Sequence, residues 1–201
     1  MRRSPDTLLE EFRRAGALLE GHFLLTSGLH SPTYLQCALV LQDPRLAARM
    51  CRRLARQLKG VEANLVIGPA LGAILVAYEL ARALGVRVLF TERVDGRMAL
   101  RRGFAIRPGE RAVLVEDVIT TGGSLAEVAE VVRAAGGQVA AVACLVDRTT
   151  GRDPGLGLTT VSLLKLDIPT YAADACPLCA LGEPLVKPGS RPGPGQKEFA
   201  P

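Results

Sequence analysis

Short apolar runs alternate along this chain with stretches whose apolar residues return at helical spacing. No other feature limits the possible folds so much, because the alternation is the signature of βα units wound around a mostly parallel sheet. Helices are predicted over residues 5–20, 44–58, 73–84 and 124–135, and strands over 33–40, 64–67, 86–91, 112–116, 139–146 and 159–165. Gly60, Gly85 and Gly136 stand just past three helical stretches, where a C-terminal cap belongs. Two stretches fit neither pattern. Residues 92–110 are arginine-rich and long for a connection, which predicts a mobile functional loop. Residues 187–201 are rich in proline and glycine and are predicted to form a poorly ordered tail.

Composition narrows the class. A chain of 201 residues, 48% of them hydrophobic, can bury a core without disulfides or metal, and one α/β domain over residues 1–186 is expected. Five cysteines, an odd number, read as reduced cytosolic thiols. The net charge of +5 is modest and scattered, so a nucleic-acid partner is not implied. No apolar run approaches the roughly 20 residues of a membrane span. The opening "MRRSPDTLLEEF" does not read as a secretory signal, so a cytoplasmic protein without a membrane partner is expected.

The stretch "VLVEDVITTGGS", Val113 to Ser124, carries the chemistry. An apolar strand runs into two acids, Glu116 and Asp117, then Val118 and Ile119, then Thr120, Thr121, Gly122, Gly123 and Ser124. Two glycines let the chain turn sharply into a helix and let a ligand approach the backbone. The loop amides and the helix N-terminus then converge on an anion, and the hydroxyls add donors. Carboxylates repel phosphate but suit sugar hydroxyls, or a Mg²⁺ held through water. The ligand so described has a phosphate at one end and a diol beside it, a ribose 5-phosphate. A P-loop and a dinucleotide fingerprint are both excluded, for lack of a Gly-rich loop ending in Lys-Ser/Thr and of G-x-G-x-x-G.

That stretch resembles the phosphoribosyl-diphosphate motif of the type I phosphoribosyltransferases. The resemblance implies an α/β fold with a mostly parallel central sheet flanked by helices. A small hood, from about 18–40 and 159–186, would cover the sheet's C-terminal edge. It also implies that residues 120–124 hold the 5-phosphate, while Glu116 and Asp117 bind the ribose hydroxyls and steady positive charge in the transition state. Pro69, Ala70, Leu71 and Gly72, in "IGPALG", fall at the family's pyrophosphate loop.

Two further stretches are similar to orotate phosphoribosyltransferases. "FLLTSGLHSPTYL" matches their N-terminal S-G-x-x-S-P segment, which points to Tyr34 and Leu35 as contacts of the base. "CLVDRTTG" matches a strand ending in Asp-Arg, and Arg148 is the residue implied to pair with orotate, with Thr120 nearby. An arginine fork suits a carboxylate. The implied substrates are phosphoribosyl diphosphate and orotate, with Mg²⁺, in a homodimer whose mobile loop reaches the partner's site. Better-known orotate enzymes carry lysines near Thr26, near Gly72 and in the mobile loop. Here that loop offers only Arg93, Arg97, Arg101 and Arg102. Asp117 and Arg93 are the candidate catalytic residues. Two alternatives stay open: transfer to a purine base, and a non-catalytic sensor of phosphoribosyl diphosphate.

Other candidates read as structural. "CPLC", Cys176 to Cys179, has the spacing of half a zinc site, but the sequence shows no partner set, with His22 and His30 far away. Two reduced thiols in a turn are expected, with a zinc or redox pair as the alternative. His30 reads as a surface histidine, or else as one facing the diphosphate. Cys37, Cys51 and Cys144 read as core, and the arginines of "CRRLARQLK" as the solvated side of a helix.

Overall fold

The computed structural model describes residues 5–25, 27–149, 157–158 and 160–188. In chain order these form α1 (Pro5–Arg14), β1 (Leu18–Leu24), β2 (His30–Leu35), α2 (Cys37–Leu41), α3 (Pro44–Gln57), β3 (Leu65–Pro69), α4 (Ala73–Leu84) and β4 (Arg87–Val94). They continue with β5 (Arg97–Leu100), β6 (Arg111–Ile119), α5 (Gly123–Ala134), β7 (Gln138–Asp147), β8 (Thr160–Lys165), α6 (Pro177–Ala180) and β9 (Leu185–Val186). A six-stranded sheet has the order β5-β4-β3-β6-β7-β8, parallel throughout except for the β4–β5 hairpin. A second, three-stranded sheet has the order β2-β1-β9.

The parallel strands are apolar on both sides because both faces of the large sheet are covered. Leu65 to Pro69 are all buried, as are Ala112 to Val115. One core packs Val66, Val113, Val115 and Ala143 against Met50, Leu54, Val76 and Leu80 of α3 and α4. The other packs Ile67, Leu114 and Val142 against Leu125, Val128 and Val132 of α5. Helix α3 begins where its sequence says it should: Asp43 accepts from the amides of Arg45 at 2.8 Å and Leu46 at 3.3 Å, and Pro44 follows at the first helical position.

Four expectations about elements are corrected. The first helix ends at Arg14, and a turn through Gly16 leads into β1, so residues 18–20 are strand. The expected strand 33–40 starts earlier, at His30, and stops at Leu35. The rest of that apolar run is α2, since a continuous run gives no periodicity by which to choose. Residues 92–110 are not one irregular loop: β4 runs on to Val94, Asp95 and Gly96 turn with φ of 47° and 82°, and β5 returns antiparallel to it. The Asp-Gly pair between alternating residues is a hairpin signal that the loop reading passed over. Finally, β6 does not stop at the acids but continues through them to Ile119. Thr26, residues 150–156, Thr159 and the tail from 189 onward lie outside the described residues.

Candidate phosphoribosyl-diphosphate site

Strand β3 lies between β4 and β6, and the connections leaving β3 and β6 diverge. Helix α4 returns on one face of the sheet and α5 on the other. Such a switch point opens a crevice beyond the carboxyl ends of the two strands, where open α/β sheets bind ligands. Both glycine-containing turns of the sequence end there.

The β6–α5 turn exposes Thr120, Thr121 and Gly123, and buries Gly122. Gly122 has φ 80° and ψ 1°, a left-handed conformation that a side chain would strain. No side chain caps α5. The Gly123 amide has only a long contact of 3.5 Å, to the Thr121 hydroxyl. A helix N-terminus normally satisfies its free amides with a cap. Here no side chain does so, and Thr120, Thr121 and Ser124 flank the same turn in sequence.

Glu116 and Asp117 are half-buried on β6, and among the described residues no salt bridge reaches either. Burial, then the neighbouring Asp117 charge, pushes the Glu116 carboxyl up to about 8. Burial also raises Asp117, partly countered by the Val118 amide, which donates to its carboxylate at 3.0 Å. Two desolvated acids without a cation fit a positively charged occupant.

The turn after β3 brings Gly72 against Asp117. A Cβ built on Gly72 would stand 3.1 Å from both carboxylate oxygens, so a side chain there would press on the acid. At Gly68 a Cβ would meet the Val115 carbonyl at 2.5 Å, a distance that forces the strands apart. Pro69 ends β3, the Ala70 amide donates to the Thr91 carbonyl at 2.8 Å, the Ala70–Leu71 peptide is cis, and Leu71 is exposed.

The four arginines divide. Arg93 is held by Glu127 of α5 at 2.9 and 3.1 Å and donates to the Gly96 carbonyl. Arg102 forms a bidentate pair with Glu92, both contacts 2.8 Å. Arg97 and Arg101 are exposed and make no salt bridge among the described residues.

The residues expected to meet the base come from both sheets. Arg148 follows β7, its amide bonded to the Ile119 carbonyl at 2.8 Å, and a guanidinium nitrogen reaches the Ser31 hydroxyl of β2 at 3.4 Å. Its Nε is buried without a hydrogen-bond partner, and burial lowers its affinity for a proton. Asp147 fixes the turn that carries Arg148, accepting from the Thr149 amide at 2.8 Å and its hydroxyl at 2.7 Å. Tyr34 lies close enough to Asp117 that burial, then that charge, raises its phenol. Leu35 is buried. Sequence reasoning missed Ser31, Asp147 and Thr149, although all three stand inside stretches it had picked out.

His30 is corrected. It is not on the surface, and its ring faces His22 and Cys179 rather than a diphosphate, buried beside Cys176. The reading that the CPLC pair has no partner set is corrected with it. The two histidines are distant in sequence and adjacent in space.

Comparison with known proteins agrees with this geometry. The Phosphoribosyl transferase domain family matches residues 40–164, from α2 through β8, and the chain belongs to that family. It is 54% identical over 186 residues to orotate phosphoribosyltransferase of Desulforamulus reducens, covering 92% of this chain and 97% of the relative. Orotate phosphoribosyltransferase from Aeropyrum pernix superposes with a TM-score of 0.64 at 30% identity, covering 79% of this chain and 93% of that one. Adenine phosphoribosyltransferase from Thermoanaerobacter pseudethanolicus superposes with a TM-score of 0.66 at 24% identity, covering 79% and 99%. The fold is thus shared by enzymes of different bases, and specificity must be read from side chains.

Proposed function

We infer that this chain transfers ribose 5-phosphate from phosphoribosyl diphosphate to orotate, giving orotidine 5′-monophosphate and pyrophosphate, a step of pyrimidine synthesis. The observation that carries the reading is Arg148: a half-buried guanidinium with no carboxylate partner among the described residues and an unbonded Nε. A buried cation left unpaired is costly, and a planar carboxylate is its natural complement. Among the common bases, orotate brings one. The relatives named orotate phosphoribosyltransferase support the same base.

In this reading the α5 N-terminus, Thr120, Thr121 and Ser124 hold the 5-phosphate. The amides of the turn from Pro69 to Gly72 face the diphosphate. Glu116 and Asp117 take the ribose hydroxyls and stabilise the positive charge that grows on the sugar as the anomeric carbon–oxygen bond breaks and the bond to the ring nitrogen forms. Mg²⁺, held mainly by the substrate and through water by these acids, would offset charge on the leaving group. Tyr34, Leu35 and Arg148 orient the base. Arginine is too weak an acid to pass a proton, so Arg93, Arg97, Arg101 and Arg102 act by charge and by excluding water. Arg93 and Arg102 first have to leave Glu127 and Glu92.

We further propose one domain over residues 1–186, in which the β2-β1-β9 sheet and the 159–186 segment form a hood over the base, followed by a tail from 187. A cytoplasmic homodimer is proposed as well. Leu75 and Tyr78, 49% and 58% exposed, stand three positions apart on α4 and form an exposed apolar stripe, and Leu71 in the turn before the helix is 73% exposed. Such a stripe suits a second copy. No helix among the described residues is long and apolar enough to cross a membrane.

The test is pyrophosphate release from phosphoribosyl diphosphate and Mg²⁺ with orotate, uracil, hypoxanthine, guanine, xanthine or adenine. Turnover with orotate alone is expected. Turnover with a purine instead would move the assignment to that base. Silence with every base, alongside tight binding of phosphoribosyl diphosphate, would replace the enzyme by a sensor.

A further inference from the structure

His22 of β1, His30 of β2 and the Cys176–Cys179 turn place four ligand atoms within 4.8 Å of one another. His22 Nε2 lies 2.9 Å from His30 Nδ1, 3.5 Å from Cys176 Sγ and 3.7 Å from Cys179 Sγ, while Cys179 Sγ lies 3.3 Å from His30 Nδ1. Bond lengths of about 2.0–2.1 Å to nitrogen and 2.3 Å to sulfur give a tetrahedral zinc site edges of roughly 3.3 Å between nitrogens and 3.5 Å between nitrogen and sulfur. Those four distances fall within about 0.4 Å of these edges.

Its protons point the same way. His22 Nδ1 lies 2.9 Å from the Glu183 carbonyl, which can only accept, so the ring's proton is on Nδ1. With Nδ1 donating there, Nε2 is the ring atom that faces the other histidine and both sulfurs. A backbone carbonyl behind a ring nitrogen is the usual outer support of a metal-bound histidine. The same short turn supplies the two sulfurs and that carbonyl. It runs from Cys176 through α6 and Gly182, and it is closed by amide bonds of Gly182 to the Cys179 carbonyl and Glu183 to the Leu178 carbonyl. His22, His30 and Cys176 are buried, whereas Cys179 is exposed and leaves a way in.

We propose that these four residues bind a zinc ion, a closed structural site that ties the C-terminal segment to β1 and β2. The sheet register explains how the site is made. Leu24 pairs with His30, and His22, two residues before Leu24 on the same strand, falls on the same face, diagonal to His30. Strand β9 then pairs with His22 and Phe23 through Leu185 and Val186, closing the segment over them. Ser31, which touches Arg148, is the next residue after His30. The ion therefore positions the strand that meets the base, a consequence that rests on the proposed role of Arg148. The site itself does not depend on that role.

The test begins with metal content of the purified wild-type protein, and with Co²⁺ in place of zinc. About one zinc per chain is expected, and Co²⁺ should give the intense visible bands of a tetrahedral site with thiolate-to-metal charge transfer. Cys179→Ser changes an exposed residue and should still fold; it should lose the metal and lower Tm by about 10 °C. The same variant should raise KM for orotate more than KM for phosphoribosyl diphosphate. Several outcomes overturn the proposal: wild-type protein that takes up no Zn²⁺ when supplied, full zinc content in Cys179→Ser, or a Cys176–Cys179 disulfide in the native protein. Metal content and Co²⁺ spectra are independent of turnover. A zinc-bearing protein inactive on orotate would thus sink the proposed reaction and leave the site standing.

Discussion

At the carboxyl ends of β3 and β6 the groups proposed to hold the ligand are amides, glycines, hydroxyls and carboxylates supplied by sequence neighbours, Pro69 to Gly72 and Glu116 to Ser124. Around β2 they are single side chains from distant parts of the chain: Ser31 meets Arg148 across 117 positions, and His22 meets Cys176 across 154. The first region needs only a strand, a turn and a helix to be correct, and local sequence dictates all three. The second exists only once two sheets have packed together. Local construction suits the part of a substrate that every family member shares, and long-range construction suits the part that differs. In this account the sugar phosphate is held by the first region and the base is chosen by the second.

The comparison can be broken at four points, taken here from the largest expected effect. Asp117→Asn keeps the shape and removes the charge beside the developing cation. It should lower kcat by about 100- to 1,000-fold, the scale of losing one preorganised electrostatic partner, in steady-state turnover with orotate. Next, Arg148→Met should lower kcat/KM for orotate by roughly 100-fold, near 3 kcal/mol for a buried charge partner, with a far smaller change for phosphoribosyl diphosphate. An equal loss for both substrates would erase the division between the regions. Gly72→Ala puts a methyl group 3.1 Å from the Asp117 oxygens. It should raise KM for phosphoribosyl diphosphate by about tenfold while leaving orotate binding to the hood unchanged.

The smallest effect is a pH dependence. Glu116 is raised in the folded protein, to about 8, above its ordinary value of 4.5. The folded state therefore holds that proton more tightly than the unfolded chain does. Its contribution to stability is full below the ordinary value and is lost as pH rises toward 8. Melting of the unliganded protein from pH 5 to 8 should show Glu116→Gln gaining stability relative to wild type as pH rises. A constant difference across that range would mean that Glu116 is not held protonated by its surroundings.

What the sequence disclosed follows the same division. The parallel sheet, and the turn of small residues that follows two acids at the end of β6, could be read because each lies within one strand–turn–helix unit with fixed offsets. The Asp95–Gly96 hairpin was equally local, but the arginine content around it drew the reading toward a loop. The extent of β1 and β2 was hidden, because a sheet made of one bulged hairpin and a returning strand depends on pairing that no short window contains. The histidine–cysteine cluster was hidden for the same reason. Only the Cys-x-x-Cys spacing was visible, and two histidines eight positions apart give no sign that the pairing of β1 with β2 will bring them together.

Equilibrium titration of phosphoribosyl diphosphate with Mg²⁺, and then of orotate, into wild type and Arg148→Met tests the division most directly. The variant should keep its affinity for phosphoribosyl diphosphate within about a factor of three and lose most of its affinity for orotate, the behaviour of independent neighbouring contacts. A variant that binds orotate as wild type does, or that fails to bind phosphoribosyl diphosphate, would contradict that division.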